Sequence, residues 1–160
     1  MKRKIVSRSQ IGQLATKLHR QGKRVVFTNG VFDILHAGHV QYLARARKLG
    51  DVLIVGLNTD ASVRMNKGDL RPIVSYKYRA ILLASLEMVD YVVPLERKTP
   101  DRLIERLRPA VLVKGSDYRV SEIVGANFVK SYGGRVIRMS MTKGLSTSEI
   151  IRKIQNLSAK

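Results

Sequence analysis

Five short runs rich in β-branched and aliphatic residues recur along the 160-residue chain: RVVFT at 24–28, VLIVGLN at 52–58, YVVPL at 91–95, AVLVKG at 110–115 and RVIRM at 135–139. Their apolar residues come in blocks rather than at every second position, so each run reads as a strand buried on both faces. The stretches between them are long enough for helices and carry helical spacing: Val40, Leu43, Ala44 and Leu49 share one face, and Ala80, Leu83, Ala84 and Met88 share another. Gly50 is expected to close the first of these helices in the left-handed conformation, while Gly22 and Gly133-Gly134 follow others. Thr99-Pro100-Asp101 reads as a cap, a first-turn proline and a first-turn acid. A strand-helix-strand order demands parallel strands joined by right-handed crossovers. The predicted fold class is therefore α/β, a Rossmann-like open parallel five-stranded sheet with helices on both faces, preceded by a helix around residues 9–21.

No Pro/Gly/Ser-rich linker interrupts the pattern, so residues 1–160 are expected to form a single domain with residues 1–8 as an N-terminal tail. The absence of cysteine excludes disulfide frameworks, thiolate zinc sites and cysteine nucleophiles. The N-terminal MKRKIVSRSQ lacks the apolar core of a secretory signal, and no run approaches a membrane span, so a cytoplasmic location is expected. A formal net charge of +18 makes polyanions the first class of partner to consider. The cations are scattered rather than gathered into a tail or a nucleic-acid-binding signature, so a nucleotide is expected and nucleic acid is not.

In sheets of this kind ligands bind beyond the carboxyl ends of the strands. The first strand leaves through TNGVFDILHAGHVQYL, residues 28–43, which contains two of the three histidines. His36 and His39 are three apart, so with a helix starting near Gly38 both imidazoles face one side of its first turn. Free N–H groups and the helix dipole favour an anion there. Gly38 leaves room for a bulky phosphate beside the backbone. Zinc is the rival chemistry, but only His19 remains as a third imidazole and H-E-x-x-H is absent. Neither G-x-x-x-x-G-K-[ST] nor G-x-G-x-x-G occurs.

HAGH at 36–39 resembles the H-x-G-H motif of the nucleotidyltransferase superfamily, and LSTSEII at 145–151 resembles its second, hydroxyl-rich element. HAGHVQYLARARKLGD followed by LIVGLNTD is similar to the cytidylyltransferase-like branch. TNGVFDILHAGH, NTDASVRMNKGDLRPI and VLVKGSDY together resemble the heptose 1-phosphate adenylyltransferase domain of ADP-heptose synthases, over about residues 8–156. The resemblance implies transfer of AMP from ATP to a sugar 1-phosphate with release of pyrophosphate. A cytidylyltransferase for a polyol phosphate or phosphoethanolamine, and a nucleotide- or nucleic-acid-binding protein without turnover, are the competing readings. The sugar-kinase domain fused to many such relatives does not appear, so a separate heptose 7-phosphate kinase is expected as the pathway partner. The resemblance also implies a homodimer or higher homo-oligomer. Val31, a position often held by cysteine in the fused relatives, is expected to serve packing.

Under this resemblance His36, His39 and Lys67 are the catalytic candidates. Thr28, Asn29, Gly30, Phe32, Gly38, Lys114, Gly115, Asp117, Ser146, Thr147 and Ser148 are the nucleotide-binding candidates. Asp33, Asn58, Asp60, Arg71 and Arg79 are the acceptor-binding candidates. Several carry structural alternatives: an Asx-turn for Asp33, a helix cap for Asp60, and pairing with Glu87 or solvent exposure for Arg79. Ser146 and Glu149 are spaced as a capping box, which is compatible with phosphate binding at the same helix start. Mg²⁺ is expected to arrive with ATP. No carboxylate cluster marks a dedicated cage, and no metal-ligating residue is assigned.

Overall fold

The computed structural model describes residues 4–140 and 144–158. Five parallel strands, β1 (Val25–Gly30), β2 (Val52–Asn58), β3 (Tyr91–Leu95), β4 (Val111–Gly115) and β5 (Arg135–Met139), form one sheet in the order β3-β2-β1-β4-β5. Strand order reverses between β1 and β4, so the crevice available to a ligand opens above those two carboxyl ends.

Each strand supplies both faces of the sheet, as the blocked apolar pattern requires. Val25, Phe27, Val52, Ile54, Val93, Leu95 and Leu112 enter one core, covered by α1 (Ile11–Arg20), α5 (Asp101–Leu107) and α6 (Ala126–Ser131). Their neighbours Val26, Leu53, Val55, Leu57, Val92, Val111 and Val113 enter the other, covered by α2 (Ala37–Arg47) and α4 (Tyr76–Ser85). The period-two alternation of side chains thus divides one apolar block between two cores. Two further helices, α3 (Asp60–Lys67) and α7 (Thr147–Ser158), start at the carboxyl edge of the sheet.

Several local expectations change. Gly50 is absent from the glycines with positive φ, which among the described residues are Gly22, Gly68, Gly125, Gly133 and Gly144. It is glycine because a Cβ there would lie 2.5 Å from the Arg24 carbonyl oxygen and 2.8 Å from Val26 Cγ2. On α2 the buried positions are Gly38, Tyr42, Leu43 and Ala46, because the helix turns the Tyr42 ring inward in place of Val40 and Ala44. α5 starts one residue later than expected, with Pro100 in the cap position and the Thr99 hydroxyl donating to the Asp101 carboxylate. Within the expected N-terminal tail, Ile5 pairs with Val92, Val6 N–H donates to the Val92 carbonyl at 2.9 Å, and Val6 joins the core. Ile5 and Val6 therefore lie along the edge of β3. Two adjacent apolar residues in a basic stretch are too short a pattern to signal this from sequence.

Candidate active site

A cleft of about 640 Å³ opens at the carboxyl edge. It is lined by most of the sequence-predicted residues: Asn29, Gly30, Phe32, Asp33, His39, Asn58, Lys67, Arg71, Lys114, Asp117, Ser146, Thr147 and Ser148. Thr28, His36, Gly38, Asp60, Arg79 and Gly115 stand outside its lining.

The centre of the cleft is built by the start of α2. His36 occupies the cap position in extended backbone (φ −139°, ψ 167°), and its carbonyl accepts from His39 N–H at 2.9 Å. This turn stacks the two imidazoles, with centroids 3.8 Å apart and planes 23° from parallel. Phe32 meets the His39 ring edge-on at 5.1 Å, from a left-handed backbone (φ 46°) that a non-glycine residue rarely adopts. Burial lowers the pKa of His36. Burial and then the charge of His36 push that of His39 down to about 4. Both rings are therefore neutral near pH 7. The Nδ1 atoms of His36 and His39 and the Oδ1 of Asn29 are buried with no hydrogen-bond partner among the described residues.

Gly38 has a more specific task than clearing the backbone. A Cβ there would press to 3.1 Å on the His36 ring and come within 3.5 Å of Leu145 Cβ. The second contact seats the start of α7 beside the start of α2, so two helix N-termini converge near the histidines. Ser146 caps α7 by accepting from Glu149 N–H at 3.1 Å. Its hydroxyl donates to the Glu149 carboxylate at 3.0 Å, so the reciprocal bond of the expected box runs through the serine hydroxyl.

On the β4 side, Lys114 Nζ is mostly buried, 3.5 Å from the Asn29 carbonyl oxygen and 5.4 Å from the Tyr118 ring centroid. Burial lowers its pKa to about 8 against an opposing pull from Asp117. Thr28 turns away from the cleft, its hydroxyl 2.8 Å from that of Tyr42 inside the core.

The corner beneath β1 and β2 is of another kind. Arg79 is buried, with Nε donating to Val74 O (2.7 Å), Nη1 to Val31 O (2.7 Å) and Asn58 O (2.9 Å), and Nη2 to Asp60 Oδ1 (2.6 Å). The Asp60 carboxylate also accepts from Tyr76 N–H, while Thr59 takes the cap position of α3. Asp33, 1% exposed, accepts from Ile73 and Val74 N–H and lies 2.7 Å from Arg71 Nε. Arg79 thus neither pairs with Glu87 nor meets solvent. It pins the exits of β1 and β2 to the segment before α4, and Asp33 pins that same segment to the histidine loop. Neither an Asx-turn nor a surface pair describes the arrangement, because apart from Val74 O, five residues from Arg79, these hydrogen-bond partners lie 16 to 48 residues apart in sequence.

Tyr118, Glu122, Ile123 and Val124 after β4, Asn66 on α3, and Lys98, Thr99 and Pro100 after β3 also line the cleft, and sequence reasoning missed them. Applying the strand-end rule to the third strand would have flagged Lys98.

Residues 27–153 match the family described as cytidylyltransferase-like. The chain belongs to that family. This cytidylyltransferase-like chain is 57% identical over 134 residues to the bifunctional protein HldE of Geobacter sulfurreducens, covering 84% of the chain and 27% of that protein. It is 51% identical over 151 residues to the bifunctional protein HldE of Cronobacter sakazakii, covering 94% of the chain and 32% of that protein. The chain therefore spans about a third or less of the length of these curated relatives. A crystal structure of the lipopolysaccharide core biosynthesis protein from Thermoplasma volcanium is similar, with a TM-score of 0.61 and 30% identity, covering 76% of this chain and 98% of that one.

Proposed function

We propose that the protein transfers AMP from ATP to D-glycero-β-D-manno-heptose 1-phosphate, releasing pyrophosphate and giving ADP-heptose for lipopolysaccharide core synthesis. The observation that carries this reading is the meeting of two helix N-termini at a stacked pair of histidines, of which His39 lines the cleft. The relatives and the TNGVFDILHAGH and VLVKGSDY segments support the choice of nucleotide and sugar.

The reaction is a displacement at phosphorus. An acceptor phosphate oxygen attacks the α-phosphorus, the bond to the β-phosphate oxygen breaks, and pyrophosphate leaves. Catalysis then rests on positioning and on donors placed where charge gathers. The starts of α2 and α7 hold the triphosphate through backbone N–H groups, with Ser146, Thr147 and Ser148 beside it. His39 and His36 donate toward the α-phosphate and leaving oxygens, and the anion draws a proton onto His39. Lys67 adds positive charge from the end of α3. Asn29, Lys114 and Asp117 bind the nucleoside side. Asn58 and Arg71 face the acceptor, while Asp33, Asp60 and Arg79 hold the loops that shape its pocket.

Among the described residues no group of three or more His, Asp and Glu is placed to hold a metal ion. Mg²⁺ bound to ATP would be held mainly by phosphate oxygens and water and would offset charge on the triphosphate. Among the described residues no helix is long and apolar enough to cross a membrane, and the reading places the enzyme in the cytoplasm as a homodimer or higher oligomer supplied by a separate heptose kinase.

The test is pyrophosphate release with Mg²⁺, crossing ATP, CTP, GTP and UTP against heptose 1-phosphate, glycerol 3-phosphate and phosphoethanolamine. Release is expected with ATP and heptose 1-phosphate, falling about a hundredfold or more in His39→Ala as for loss of one oxyanion donor. Release confined to CTP with another acceptor, or to no pair, would overturn the assignment.

A further inference from the structure

Resting on the sugar phosphate reading above, the acceptor's position follows from what the rest of the cleft already holds. The triphosphate belongs to the α2 and α7 starts and the nucleoside to the β4 side. In-line attack then brings the acceptor from the β2–β3 side, where Asn58, Asn66, Lys67, Arg71 and Lys98 line the cleft. Of the arginines there, Arg79 is buried with all three guanidinium nitrogens bonded, while Arg71 lines the cleft with its Nε held 2.7 Å from Asp33.

Lys98 is exposed and has no hydrogen bond or ion pair among the described residues. The segment that presents it is held in place, since Thr99 donates to Asp101 and buried Pro100 caps α5. The segment that carries Lys98 leaves the sheet from β3. β3 lies two strands from β1, about 10 Å at normal inter-strand spacing. A heptose 1-phosphate measures roughly 8 Å from phosphorus to its last hydroxyl at ordinary bond lengths. With the phosphate at His39, the sugar's far hydroxyls extend toward the β3 exit that carries Lys98, where a three-carbon phosphate offers no hydroxyl as distant from its phosphorus.

We propose that Lys98 is a specificity residue that donates to the distal hydroxyls of a sugar phosphate acceptor, so that the two-strand offset between β1 and β3 measures acceptor length. A site built to bond a hydroxyl discriminates strongly against a molecule that lacks it.

The experiment is calorimetric titration of heptose 1-phosphate, mannose 1-phosphate and glycerol 3-phosphate into protein saturated with a non-hydrolysable ATP analogue and Mg²⁺. It compares the natural chain with Lys98→Ala and Lys98→Arg, with thermal melting of each variant as a folding check. The expected result is a preference for heptose over glycerol phosphate that shrinks at least tenfold in Lys98→Ala and largely returns in Lys98→Arg, with mannose 1-phosphate intermediate. An unaltered preference in Lys98→Ala overturns the role of Lys98 and leaves the proposed reaction standing. Failure of the natural chain to bind either sugar phosphate, or a preference for glycerol 3-phosphate, overturns the proposed reaction and this inference with it.

Discussion

The centre of the cleft and the corner beneath it are both polar and both shielded from water, yet they treat their polar atoms in opposite ways. Around Arg79, each of its guanidinium nitrogens has an oxygen within 2.9 Å, and both carboxylates accept from backbone N–H and pair with an arginine, Arg71 Nε meeting Asp33 at 2.7 Å as an ion pair without hydrogen-bond geometry. Around His39, three buried side-chain atoms of His36, His39 and Asn29 have no partner among the described residues. A buried polar atom left unpaired costs about 1–3 kcal/mol, which a fold sustains where binding recovers it. The satisfied corner is scaffold and the unsatisfied centre is where a ligand is expected, although the sequence offers arginine, aspartate and histidine equally as candidates.

Replacing Arg79 with Met breaks this contrast from the scaffold side. It leaves Asp60 without its cation and three carbonyl oxygens without a donor, with an expected loss of about 3–5 kcal/mol in urea unfolding. A loss below about 1 kcal/mol with weakened acceptor binding would instead make Arg79 a ligand contact.

The centre is tested by protons. With its pKa depressed from 6.5 to about 4, His39 carries no charge in the free protein at pH 5.5. Because protonation is easier in the unfolded chain, the contribution of this group to stability is complete above pH 6.5 and is lost as pH falls toward 4. A bound triphosphate reverses the balance by favouring the imidazolium. Mg·ATP is therefore expected to raise the NMR-detected pKa of His39 by at least about one unit, equivalent to about 1.4 kcal/mol. Net uptake of a fraction of a proton should accompany binding in calorimetry at pH 5.5, larger as the shift exceeds one unit. An unmoved His39 would separate the ring from the phosphates.

Ser146→Ala gives the smallest effect, about 1 kcal/mol from a lost cap on α7. Weaker ATP binding should accompany it, because Ser146 lines the cleft and the proposed reaction sets the phosphates against this turn. A stability loss with unchanged ATP affinity would make Ser146 scaffold alone.

Much of this was legible in the chain. The five apolar runs became the five strands, and Asn29 and Gly30 at the end of β1 and Phe32 just beyond it line the cleft together with Asp33 and His39. The less legible residues fail for a common reason. Arg79, Asp33 and Asp60 take partners 16 to 48 residues away, Thr28 is claimed by Tyr42 fourteen residues on, and Lys98 enters the cleft only because β3 lies beside β2. Gly50 failed similarly, since the carbonyl it accommodates belongs to Arg24.

The sequence by itself determined the fold class and the sheet edge at which the cleft opens, because strand burial, helix periodicity and the spacing of two histidines are local properties carried by neighbouring residues. Only the tertiary structure decided which polar residues were free to meet a ligand. That depends on which donors and acceptors the folded chain brings within hydrogen-bond distance of each other, and a buried charge that finds its partners inside the protein has none left for a substrate.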